Sequence, residues 1–251
     1  MFNLIKYELK GYFKDFIIIL GIIALINILL YTRMNTWPRG AIVSLSFLVS
    51  FAAAIVVLIW NIKLFSRDMY EDSGYLLFTL PQTGYSILGS KLITSIIQVL
   101  IVGAVALIFN FISLQSIDNF RNNAQIVFSN INPNLAPISI ISSLINYVFF
   151  LTTIYFSISL SKIAIRKRKF GKLGAFVIFV IFSLIVGKIT MSISNTFPQS
   201  FKLNLLSAQS QISLYGPSNI SINIAATIFS VMLFILMFIA TSYIIENRID
   251  F

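Results

Sequence analysis

"FIIILGIIALINILLY", Phe16 to Tyr31, holds one polar side chain, Asn27, in sixteen residues. A helix needs roughly 20 mainly apolar residues to cross a bilayer, and this stretch with its flanks is that long. Five more follow, from about Ala41 to Trp60, Leu92 to Leu114, Ile138 to Leu160, Ala175 to Ile193 and Ile222 to Ile245. Strands of a membrane barrel would be shorter and would alternate apolar with polar residues. The expected fold is therefore an all-α integral membrane protein with six transmembrane helices.

The composition agrees. The chain has 251 residues, 58% hydrophobic and only 10% charged, against about 25% charged in a soluble domain. So little charge cannot cover a surface facing water. The net charge of +10 sits in short segments beside the spans, where Lys and Arg mark the cytoplasmic side, so no nucleic-acid partner is needed to explain it.

Those charges set the orientation. With the N-terminus inside, the cytoplasmic segments hold Lys6, Lys10, Lys14, Lys63, Arg67, Lys91, Lys162, Arg166, Lys167, Arg168, Lys169, Lys172 and Arg248. The outer side, counting Lys188 near the outer end of the fifth span, holds Arg33, Arg39, Arg121, Lys188 and Lys202. A bias of 13 to 5 places both termini in the cytoplasm, in a multi-pass protein of the cell membrane. Richness in Ile, Asn, Lys and Phe suggests a bacterial chain, hence a bacterial plasma membrane. The first span lacks a small-residue cleavage site and is expected to be retained.

Absent residues narrow the chemistry. With no Cys and no His, disulfides, Cys or His metal sites and His- or Cys-based nucleophilic catalysis are excluded. No catalytic and no metal-binding residue is expected. No carboxylate lies within a span, which argues against a proton relay and against an intramembrane enzyme built on paired acids. The polar residues in or at the ends of spans are Asn27, Asn61, Gln98, Asn110 and Asn146. Each serves an interhelical hydrogen bond or, for the deeper Gln98 and Asn146, the lining of a path.

One domain over 1–251 describes the chain, with four segments outside the bilayer. The lead, 1–15, sets Phe2, Leu4, Ile5, Leu9, Tyr12 and Phe13 among lysines, the pattern of an amphipathic helix lying in the inner interface or of a plain flanking anchor. The outer segment 115–137 is Asn-rich. The outer segment 194–221 mixes Phe, Leu and Tyr with polar residues, as short surface helices do. The fourth, 62–91, is the longest cytoplasmic segment.

That segment is unusual. Three of the eight acidic residues, Asp68, Glu71 and Asp72, fall within "RDMYEDSGYLLFTLPQTGYS" (Arg67 to Ser86). The spacing predicts a helix that groups Met69, Leu76 and Leu80 apart from the acids, loosened at Gly74 and stopped by Pro81. Such a surface helix is suited to contact another protein, although the acids also fit a merely solvated face. "GYSILGSK" has the glycine spacing of a phosphate loop, but its Ser and Lys are reversed and no strand precedes it, so nucleotide binding is not expected here.

With the topology, "YEDSGYLLFTLPQTGYSILGSKLI" (Tyr70 to Ile93) resembles the permease subunits of ABC-2-type transporters, the membrane halves of ATP-driven exporters. The matching positions are Glu71, Asp72, Gly74, Leu76, Leu77, Leu80, Pro81 and Lys91. The resemblance implies a coupling helix between the second and third spans, with Asp68, Glu71, Asp72, Gly74, Tyr75 and Leu76 meeting a groove of the ATPase. It implies two ATPase subunits carrying ATP and Mg, a second permease copy or relative, and small re-entrant or surface helices in 194–221. The Asn-rich segment 115–137 departs from compact members of the family. The function so implied is export of an amphipathic or hydrophobic substrate such as a peptide, antibiotic or lipid. The alternative is a non-transporting immunity or sensor protein that sequesters a toxic peptide.

Overall fold

The structure, a computed structural model, describes residues 2–70, 82–115, 117, 135–164, 168–204 and 219–247. Its elements in order are α1 (Phe2–Gly11), α2 (Phe13–Thr32), α3 (Arg39–Tyr70), α4 (Gly84–Gln115), α5 (Leu135–Ala164), α6 (Arg168–Thr196), β1 (Ser200–Asn204), β2 (Asn219–Asn223) and α7 (Ile224–Asn247). Six of them, α2 to α7, are long and apolar enough to cross a membrane. The chain is a multi-pass, predominantly helical membrane protein.

Helix lengths differ from the hydropathy spans at one place above all. α3 and α4 each run for 32 residues, about 48 Å at 1.5 Å per residue, well beyond a hydrocarbon core of about 30 Å. The excess lies at the C-terminal end of α3 and the N-terminal end of α4. The expected loop of 62–91 is thus helical over 62–70 and 84–91. Polar residues end the apolar run after Trp60, but the helical repeat continues: Asn61, Leu64, Phe65, Asp68 and Met69 are all buried, one face at i, i+3, i+4, i+7 and i+8. On α4, Ile87, Leu88, Lys91, Leu92 and Ser95 repeat the pattern.

In the segment after α6, residues 205–218, the greater part of the stretch where short helices are expected, lie outside the described residues. Its described ends form an antiparallel pair, with Ser200 opposite Asn223 and Asn204 opposite Asn219. The reason is visible in SFKLN and NISIN, which alternate polar and apolar residues with the period of a strand. Asn223 then caps α7. Its Oδ1 accepts the Ala226 N–H at 2.9 Å, and its Nδ2 donates to the Phe197 carbonyl at 2.7 Å.

The contacts cluster into two compact units, one of Met1–Lys63 with Ser90–Ile126 and one of Leu64–Gly89 with Val127–Phe251. The first has an apolar core of Ile23, Ala53, Val57 and Val102, flanked by Phe16, Leu20, Val99 and Phe109. Toward the C-terminal end of α2 a polar seam replaces it. Ser46 Oγ lies 2.6 Å from Asn27 Oδ1 and 2.9 Å from Asn110 Oδ1, and Asn110 Nδ2 donates to Ser50 Oγ at 3.0 Å. One serine proton cannot serve two amide oxygens. Turning the Asn110 amide over relieves this: Nδ2 donates to Ser46 and Ser46 donates to Asn27, while the one Ser50 proton goes either to Asn110 Oδ1 or to the Ser46 carbonyl, 2.9 Å away. The seam joins α2, α3 and α4 by side-chain hydrogen bonds, as expected of Asn27 and Asn110.

In the second unit α5 packs against both α6 and α7, and α6 against α7. Phe150 and Phe156 of α5 meet Phe179 and Phe182 of α6 at ring separations of 5.6 and 5.4 Å. The last turns of α3 and the first of α4 belong to this unit.

Candidate functional site

Of the residues assigned to coupling, Asp68 is described and Glu71, Asp72, Gly74, Tyr75 and Leu76 lie outside the described residues. The coupling helix itself therefore falls there too, together with the 118–134 part of the Asn-rich segment. Asp68 is buried in the last turn of α3, with 9% of its surface exposed. Its Oδ1 lies 3.8 Å from Arg67 Nε, a long contact between sequence neighbours, which do not face each other on a helix. Gln98 is buried on α4 in the first unit. Asn146 is exposed on α5 in the second, and its Nδ2 donates to the Ser142 carbonyl at 2.9 Å.

What the structure defines is the pair of anchors on either side of the polar segment. The entry anchor is Tyr70, the last residue of α3. Its ring is buried, and its hydroxyl lies 3.0 Å from the Gly171 carbonyl of α6 and 3.3 Å from the Ile158 carbonyl of α5. Ser161 Oγ donates to the same Gly171 oxygen at 2.6 Å. The ammonium of Lys162 sits 5.9 Å from the centre of the Tyr70 ring, within range of a cation–π attraction. One turn earlier, Phe65 stacks on Tyr155 of α5 with ring centres 4.1 Å apart. Residue 171 must be glycine for this fit, because a Cβ there would come within 2.6 Å of the Tyr70 ring.

The exit anchor is Gly84, the first residue of α4. Its N–H donates to Glu246 Oε2 on α7 at 3.2 Å. The first N–H groups of a helix lack intrahelical acceptors and carry the positive end of the helix dipole, so a carboxylate there is favoured. A Cβ on Gly84 would overlap the Ser242 carbonyl oxygen. The backbones of α4 and α7 approach that closely. Tyr85 adds a ring contact to Phe238 at 6.1 Å.

Two turns into α4, Lys91 forms a third link, within the first unit. Its Nζ lies 3.2 Å from Glu8 Oε1 of α1, with 2% of the lysine side chain and 13% of the glutamate exposed. Glu8 lies among the half-buried Leu4, Ile5 and Leu9 of α1, while Lys6 and Lys10 are exposed. The lead helix is thus amphipathic as expected, but its seated face includes an acid matched to a buried lysine.

Among the described residues, no group of three or more His, Cys, Asp or Glu side chains could hold a metal. Tyr70 and Gly84, on either side of residues 71–83, thus contact three helices, α5, α6 and α7. Sequence reasoning missed Tyr70, Gly84, Gly171 and Glu246. Glycines at both contacts were the available signal, though nothing local distinguishes them from other glycines in spans.

No family model matches the chain, no curated protein matches it, and no solved structure matches it.

Proposed function

We propose that this chain is the permease subunit of an ATP-driven exporter of the ABC-2 type. It forms, with a second copy or a related permease, the path for an amphipathic or hydrophobic substrate, a peptide, antibiotic or lipid. Two separate ATPase subunits, which carry ATP and Mg, dock on the segment around Glu71 and Asp72. Both termini and this segment face the cytoplasm of a bacterial cell. The chain itself catalyses nothing.

One observation carries the reading: both ends of the 71–83 segment are tied to helices other than their own. The one Tyr70 hydroxyl proton goes to the nearer Gly171 carbonyl of α6 at 3.0 Å, with the Ile158 carbonyl of α5 at 3.3 Å, and Gly84 holds α7 through Glu246. The resemblance of Tyr70 to Ile93 to the permease motif and the 13 to 5 charge bias support the same reading.

The test is capture of tagged protein from its native membrane in mild detergent, comparing the wild type with Glu71→Lys/Asp72→Lys. The expected result is a soluble ATPase recovered with the wild type and lost from the variant at equal membrane level. An ATPase retained by the variant overturns the contact residues. No ATPase in either sample overturns the exporter and favours the sequestering protein.

A further inference from the structure

Between α2 and α3 of the first unit runs an open apolar groove. Its floor is Ile23 and Ala53, its walls include Ile22, Ile26 and Leu48, and its volume is about 210 Å³. Ala52 and Ala53 leave it hollow where larger side chains would close it. Toward the N-terminal end of α2 it continues, across the shared residues Ile19 and Val56, into a second hollow of about 250 Å³ bounded by Asp15 and Trp60. Tyr12 meets the Trp60 ring edge-on, at 5.7 Å and 86°, which fixes the indole at the mouth.

Length and polarity identify what fits. From Asp15 to Ile26 is eleven residues of helix, about 16 Å, against about 15 Å for half of a 30 Å hydrocarbon core. The groove is one leaflet deep. Its deep part is apolar, and its mouth carries an exposed carboxylate beside an indole, the ring that prefers the headgroup level of a membrane. A carboxylate and an indole face both attract an ammonium group.

We propose that this groove binds one phospholipid of the adjacent leaflet, whose acyl chain lies along Ile19, Ile22 and Ile26 and whose ammonium-bearing headgroup meets Asp15 and Trp60. Asp15 is then the residue that discriminates. It favours a headgroup ending in a cation, such as ethanolamine, over one that ends in glycerol. This site stands on the α2–α3 geometry alone and is independent of whether the chain exports anything.

The chain has two tryptophans, Trp37 and Trp60, so Trp37→Phe leaves one reporter at the mouth. The full chain is placed in vesicles of equal parts phosphatidylethanolamine and phosphatidylglycerol, with bromine on the upper acyl chains of one lipid or the other. Trp60 fluorescence quenching then reads which lipid occupies the groove. The expected result is about a two- to fivefold preference for the ethanolamine lipid, the range of an exposed ion pair. Asp15→Asn removes that preference, and Ala53→Leu reduces quenching by both lipids. Equal quenching by the two lipids, or a preference that survives Asp15→Asn, overturns the proposal. Trp60 shielded from both lipids overturns it too, and makes a second protein copy the occupant.

Discussion

The polar seam of the first unit and the anchors of the second both place hydrogen bonds inside an apolar bundle, yet they differ in what they hold. In the seam, Asn27, Ser46, Ser50 and Asn110 bond mainly to one another through side chains. Side chains turn and re-pair, so such a seam tolerates small shifts between its helices. At the anchors, Tyr70 and Ser161 bond to the Gly171 carbonyl, and Glu246 takes the Gly84 N–H. Backbone groups have no rotamers, and glycine removes even a Cβ as spacer. The seam holds helices together; the anchors fix where they are.

The buried ion pair gives the largest expected effect. Glu8→Ala leaves Lys91 buried without that carboxylate, and loss of one partner of a buried pair costs about 3–5 kcal/mol. The measurable outcome is release of α1: a single cysteine replacing Leu9 labels faster with a membrane-impermeant maleimide in the Glu8→Ala background. Restoration of slow labelling by Glu8→Lys/Lys91→Glu would assign the effect to the pair rather than to local packing.

The two glycines come next. Gly84→Ala and Gly171→Ala each drive a methyl group into an occupied position, a strain of about 1–3 kcal/mol. Gly103→Ala, which meets nothing within 4 Å, is expected to be neutral or to stabilise its helix by about 0.5–1 kcal/mol. Thermal unfolding in detergent should rank Gly84 and Gly171 together and apart from Gly103. If all three behave alike, close helix approach is not what those glycines provide.

A smaller effect separates seam from anchor. Asn110→Leu removes interhelical hydrogen bonds that average about 0.6 kcal/mol in membranes, and Tyr70→Phe removes one hydroxyl worth about 1 kcal/mol. Stability barely distinguishes them. Under the proposed function, nucleotide-dependent movement should: Asn110→Leu is expected to retain it and Tyr70→Phe to lose it.

Hydropathy alone located all six spans, because sixteen to twenty-four mainly apolar residues in a row have no other economical fold. It stopped short at Trp60 and Leu92, since Asn61, Lys63 and Asp68 lower the average while the helix continues on the repeat of Leu64, Phe65 and Met69. The strand pair was legible in the alternation of Phe201 with Lys202 and of Ile220 with Ser221, but residue types common at membrane surfaces pointed to short helices instead. The Tyr70–Gly171 and Glu8–Lys91 contacts join residues 101 and 83 positions apart. Both charges of the second pair were visible in the sequence, and their meeting was not. Such contacts depend on which helices pack together, and hydropathy carries no information about that.

The most direct measurement of the anchors' role uses a chain that has no cysteine of its own. Leu173→Cys puts one thiol at an exposed position on α6, two residues after Gly171. Its labelling rate is read with and without Mg-ATP, in native membranes, where the proposed function places an ATPase partner. The expected result is a nucleotide-dependent change in rate that Tyr70→Phe abolishes while the ATPase stays bound. An undiminished change in Tyr70→Phe would contradict the claim that Tyr70 carries motion from the segment to α6.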